Sequence, residues 1–158
     1  MSCKLQHVTV ELLRGELTAA ELAALPSAVV EGGEPTDTQV EAWLQERVLQ
    51  ACDRVVAALN TCSRNLPIQS GLCKVPAACV RTVLVLARHA AISAIPGLAE
   101  VLEGSSRSAE YSTAVQELRA LASCELVPKY ALADGEGAEG GCVGIAARYG
   151  EKLSDWMF

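Results

Sequence analysis

Residues 38–62 read TQVEAWLQERVLQACDRVVAALNTC. Apolar side chains fall at Val40, Leu44, Val48, Cys52, Val55, Leu59 and Cys62, in steps of four, four, four, three, four and three. That spacing is one face of an α-helix. Trp43, Ala51 and Val56 widen the face, whereas Arg47, Asp53 and Arg54 fall off it. Thr38 stands three residues before Glu41, the spacing at which a hydroxyl and a carboxylate cap a helix start. The stretch therefore predicts a long amphipathic helix from Thr38, ending in a loop over 60–70 punctuated by Pro67 and Gly71.

Two more helices follow from the same argument. Pro76 sits where a first helical turn accepts proline. After it, Val80, Val83, Leu84, Ala87, Ala91, Ala94 and Ile95 make a segment apolar around most of its circumference, which predicts a buried central helix. Its polar sliver is Arg81, Thr82, Arg88 and His89. Arg81 and Arg88 are seven apart and share a side, read as a solvated edge or ion pair, with a subunit or nucleic-acid contact as the alternative. Pro96-Gly97 breaks the helix. A third helix is predicted over 109–124 from Tyr111, Ala114, Val115, Leu118, Leu121 and Ala122, with Pro128 beyond it. Upstream, Thr18-Ala-Ala-Glu21 is a capping box that predicts a short helix over 19–25, stopping before Pro26. Residues 5–13 alternate imperfectly and read as a short strand or an arm.

Composition agrees with helices. The 158 residues include 25 Ala, and aromatics make up only 4%. A core of Ala, Leu and Val favours close-packed helices over sheets. The expected architecture is all-α: a small bundle of three to four helices with extended N- and C-terminal arms. The expected divisions are an arm over 1–16, a helical domain over 17–130, and a glycine-rich link with a docking arm over 131–158.

The net charge is −6, which argues against a phosphate-binding surface covering the domain. The charge is uneven: residues 1–46 and 130–158 are acidic, and the middle is mildly basic. No apolar run is long enough to suggest a membrane span, and no signal-peptide core is apparent.

Chemistry-bearing motifs are not apparent. The seven cysteines (Cys3, Cys52, Cys62, Cys73, Cys79, Cys124 and Cys142) are odd in number. With no export signal they read mostly as reduced, buried residues and not as a disulfide framework. There is no C-x-x-C, and His7 and His89 lie far apart, so no metal site is expected. Cys79 and His89 are ten residues apart on one predicted helix, about 15 Å along its axis, too far for a catalytic pair. Nucleophile-elbow, zinc-protease, P-loop and EF-hand patterns are missing. No catalytic residue or cofactor is expected.

The tail differs from the rest. Residues 133–144 read ADGEGAEGGCVG, five glycines in twelve. The acids there would repel phosphate, so the stretch reads as a link and not a nucleotide loop. Beyond it Arg148, Tyr149, Trp156, Met157 and Phe158 form an aromatic-rich end. Such an end either folds back on its own domain or docks into a partner.

Read in order, the chain shows Leu17–Leu25, Ala51-Cys-Asp-Arg-Val55, Leu66-Pro67-Ile68 and Lys74-Val-Pro-Ala-Ala-Cys-Val-Arg81. Then come Leu86-Ala-Arg-His89, a Tyr-bearing helix from Tyr111 to Leu121, Arg148-Tyr149 and Trp156-Met-Phe158. This order resembles the small head–tail region proteins of Mu-like phages and prophages, over about residues 17–158. Lys74–Arg81 is its most specific piece, and it is a structural signature. The chain departs from the pattern at His89-Ala-Ala-Ile-Ser93 and in its glycine-rich loop.

The resemblance implies a head–tail connector, a head-completion adaptor that acts by contacts alone and not as an enzyme. Its partners would be further copies of itself in a dodecameric ring, the portal protein, and a tail-proximal neck or tail terminator protein. DNA would pass without specific binding. The location would be the virion neck, after assembly in the host cytoplasm. Arg148, Tyr149, Trp156, Met157 and Phe158 would dock, and Glu34, Asp37, Glu41, Asp134, Glu136 and Glu139 are candidate lumen acids that repel DNA. Equally, those acids can be solvated exterior. The alternatives in other classes are a helical protein-binding adaptor or regulator unrelated to virions, and a cysteine enzyme.

Overall fold

The computed structural model describes residues 4–30, 33–98, 105–128 and 130. In chain order these form β1 (Leu5–His7), α1 (Val10–Glu16), α2 (Ala19–Ala24), α3 (Pro26–Val29) and α4 (Asp37–Thr61). β2 (Lys74–Pro76), a 3-10 turn (Ala77–Cys79), α5 (Val80–Ser93) and α6 (Ser106–Ala122) follow. The chain is an all-α bundle, as its periodicity predicts. The long helices α4, α5 and α6 pack on one another, and α1 packs on α4 and α5. Among the described residues there are six α-helices, because three short ones precede the long three. No described helix is long and apolar enough to cross a membrane.

α4 buries Leu44, Val48, Cys52, Val55 and Leu59, the face read from its spacing, with Ala51 and Val56 beside it. Its start lies two residues earlier than predicted. Thr36, not Thr38, is the N-cap: its hydroxyl accepts from the Gln39 N–H, and the Gln39 side chain accepts from the Thr36 N–H. Both threonines stand three residues before a Glu or Gln. The earlier start adds a half-turn and places Asp37 in the first turn, where the helix dipole favours an acid.

α5 is the central helix. Every residue from Thr82 to Arg88 is buried. It starts later than its proline suggests: Pro76, expected in the first helical turn, ends β2 instead, and the chain makes one 3-10 turn over Ala77–Cys79 before Val80. α2 matches its capping box, with Thr18 and Glu21 bonded reciprocally. At Pro26 the chain breaks and then resumes as α3 with proline in its first turn.

The N-terminal segment is not an extended arm. β1 pairs antiparallel with β2 in the register Leu5↔Pro76, Gln6↔Val75 and His7↔Lys74. The Val8 N–H extends the ladder to the Cys73 carbonyl at 2.8 Å. Val8, Val10, Leu13 and Leu17 are all core residues. Burying them removes apolar surface from water at roughly 25 cal/mol per Å², which an arm in solvent would forgo.

The cysteines also depart from expectation. Cys62, the C-cap of α4, is disulfide-bonded to Cys124, just past α6, across 62 positions of sequence. Cys52, Cys73 and Cys79 are buried free thiols, as read. The odd count concealed the pair.

The loop from Cys62 to Cys73 is strapped along α4. The Asn60 side chain donates to the Ile68 carbonyl at 2.8 Å and accepts from the Ile68 N–H at 2.9 Å, a two-way clamp. The Asp53 carboxylate accepts from the Gly71 N–H at 2.8 Å. Gly71 has φ +81°, a conformation that suits glycine. The Tyr130 hydroxyl donates to the Leu66 carbonyl, and its ring is buried.

Candidate functional site

Ion pairs form where helices meet. Arg88 projects from α5 into the space between α1 and α6. Its guanidinium reaches Glu16 at 3.3 Å and Glu110. The Arg88 side chain is 8% exposed, whereas Glu16 and Glu110 are 33% and 37% exposed. Arg81, one heptad earlier, is 72% exposed and approaches Glu110 at 3.8 Å. The hydrogen bond and charge of Arg88 hold the Glu110 carboxyl below its ordinary value. Arg88 is thus ion-paired and Arg81 stands largely on a solvated edge, both as in the first reading of this side.

A second pair joins Arg107, at the start of α6, to Glu21 of α2. Burial pushes the Glu21 carboxyl up, but the Thr18 N–H and Arg107 together hold it below its ordinary value. A third joins Arg14 of α1 to Glu41 of α4 at 2.6 Å. The Thr82 hydroxyl of α5 donates to Glu117 of α6. These bonds tie the short helices to the long ones and fix one arrangement of the bundle. Sequence reading missed the network because its partners lie 22 to 86 positions apart.

The candidate lumen acids fall into three groups. Glu34 and Asp37 are exposed at the approach to α4 and in its first turn. Glu41 is committed to Arg14. Asp134, Glu136 and Glu139 lie outside the described residues, as do the docking candidates Arg148, Tyr149, Trp156, Met157 and Phe158.

No family model, curated protein or solved structure matches this chain. Its site chemistry is thus read from its own residues alone.

Cys79 and His89 do not meet. Cys79 neighbours Glu117 and Tyr130, and burial pushes its thiol up to about 12. A thiol held there is protonated at neutral pH and a poor nucleophile. His89 stacks on Tyr111, with ring centroids 3.6 Å apart, and its Nδ1 lies 3.4 Å from the Ser93 hydroxyl. Burial, with Arg54 and Arg88 nearby, holds the His89 imidazolium below its ordinary value. The ring packs mainly as a flat surface against α6. Among the described residues no group of three or more His, Cys, Asp or Glu is placed to hold a metal ion.

The end of the bundle carrying the Cys62–Cys124 bond has a distinct surface. Leu66 and Leu126 are exposed four and two positions beyond the linked cysteines. Tyr130 is anchored at the same end through Leu66.

Proposed function

We propose that this chain is a structural subunit of a phage head–tail connector, one that joins portal to tail by contacts. Its ring copies, the portal and a tail-proximal neck or terminator protein are the partners in this reading. The virion neck is its location, reached after assembly in the host cytoplasm. The observation that carries the reading is the place of Lys74–Arg81, the segment bearing the resemblance. It pairs with β1, makes the 3-10 turn and enters the buried α5, so the signature coincides with the part that organises the bundle.

Four features support it. A bundle whose short and long helices are joined by ion pairs suits a part that transmits load without changing shape. Glu34 and Asp37 project from one region, and acids repeated around a channel repel DNA phosphates so that DNA slides. The sequence over 131–158 ends in aromatics, the described bundle exposes Leu66 and Leu126, and repeated weak contacts in a ring add through avidity. The Cys62–Cys124 bond also suits a particle that leaves the reducing cytoplasm.

Light scattering on the purified protein, alone and mixed with the portal protein of the same phage or prophage, tests the reading. A stoichiometric ring on the portal is expected. Absence of any complex, together with capture of a non-virion protein by the 131–158 segment, would favour the adaptor alternative instead.

A further inference from the structure

Two described residues other than glycine have positive φ, and both are cysteines: Cys73 at +49° and Cys124 at +63°. A side chain in the left-handed region costs about 1 kcal/mol, so glycine or asparagine is the usual occupant. Each of these cysteines opposes a cysteine of α4. Cys124 is bonded to Cys62 at the end of the helix. Cys73 lies against Cys52, one buried thiol interacting with the other.

The register of the strap explains the second contact. The Gly71 N–H is held by Asp53 at 2.8 Å, and the Gln45 amide donates to the Cys73 sulfur at 3.5 Å. The chain thus runs back along α4, bringing position 73 over the face that carries Cys52. On the other side the Cys73 carbonyl accepts from the Val8 N–H, so its backbone is fixed by β1 as well. Cys52 and Cys62 are ten residues apart on one helix, about 15 Å along the axis. The two pairs therefore do not exchange partners within the folded chain.

We propose that Cys52 and Cys73 are a second cross-linking pair, closed to a disulfide by a small-molecule disulfide such as oxidised glutathione. In the first step one cysteine thiolate attacks a glutathione sulfur, forms a mixed disulfide and expels one glutathione thiolate. In the second, the other cysteine thiolate attacks the sulfur of the mixed disulfide and expels the second. Two thiols and one glutathione disulfide become one protein disulfide and two glutathiones, with the protons passing to the two glutathiones. Both thiols are buried in the folded chain, Cys73 at 5% exposed and Cys52 at 1%, so glutathione reaches either only when the strap or the fold opens. Burial pushes the Cys52 thiol up to about 12, which makes closure in the folded state slow and favours closure during folding. Closed, the bond would fasten the strap at its β2 end as Cys62–Cys124 fastens it at its α4 end.

The test is oxidative refolding of the full chain. Reduced, unfolded protein is refolded in a buffer of oxidised and reduced glutathione, then unfolded, alkylated, weighed and mapped by peptide mass. The proposal expects three alkylatable thiols, at Cys3, Cys79 and Cys142, and a peptide joining Cys52 to Cys73. The variant Cys73→Ser should show four, with Cys52 newly alkylated and Cys62–Cys124 intact. Five thiols in the natural chain, with Cys52 and Cys73 both alkylated, would overturn the proposal. So would Cys52 or Cys73 joined to any other cysteine. Should Cys73→Ser not fold, the peptide map of the natural chain decides alone.

Discussion

Replacing Arg88 by Met gives the sharpest check on how the bundle is held. Methionine keeps much of the buried stem and removes the guanidinium from between Glu16 and Glu110. Breaking a buried pair by deleting one partner costs about 3–5 kcal/mol. That figure assumes the partners stay buried, and here both carboxylates are about a third exposed and can turn to water. The lower part of the range applies, about 3 kcal/mol. The thioether recovers some apolar burial, on the order of 1 kcal/mol, which leaves a net loss of roughly 2 kcal/mol. For a folded unit of this size that lowers Tm by about 8 °C. Urea unfolding followed by circular dichroism reads the change as a shift in midpoint at constant slope. Combining Arg88→Met with Glu110→Gln should then cost less than the two changes summed, by on the order of 1 kcal/mol. A stability unchanged or raised by Arg88→Met would show that the guanidinium does not hold the bundle together. It would mean that desolvating the guanidinium outweighs its two ion pairs.

Cys124→Ser opens a loop of 62 positions, and chain entropy sets the loss at up to about 4 kcal/mol; chemical denaturation under non-reducing conditions measures it against the natural chain. Thr36→Ala should cost about 1 kcal/mol, and Thr38→Ala, beyond the cap, much less, so thermal melts of the two variants distinguish the helix start. His89 has a lowered pKa in the fold, so below the ordinary value of 6.5 the unfolded chain takes up the proton first and stability falls as pH drops towards the folded value; His89→Phe should remove that loss. Glu21 and Glu110 are also lowered, so their contribution is present above the ordinary value of 4.5 and is lost as pH falls through their folded values, and an acid titration of stability should show this second, lower decline.

The long helices were legible because a spacing of three and four over many turns leaves few other structures. α4 buried the face its spacing marked, and α5 buried nearly its whole circumference, as an unbroken apolar run requires. The N-terminal segment was legible only in part: the short strand, one of its two readings, is present at Leu5–His7, but α1 was not foreseen. A three-residue strand and a seven-residue helix are too short to establish a period, and their stability comes from β2, α4 and α5, which are distant in sequence. The start of α4 was ambiguous because Thr36 and Thr38 both satisfy the capping pattern, and only backbone geometry chooses between them. Arg88 illustrates a different limit: its side was legible from the helix, but its partners Glu16 and Glu110 come from other elements. The same holds for Cys62 and Cys124, which local spacing cannot join.

As proposed above, this bundle would be a building block of a ring through which DNA passes. A cryo-electron microscopy reconstruction of the protein assembled on its portal tests it most directly. The expected result is a closed ring in which Glu34 and Asp37 line the channel and the 131–158 segment reaches a neighbouring protein. A protein that stays monomeric beside the portal, or a ring whose channel is lined by other residues with both acids on its outer wall, would contradict it.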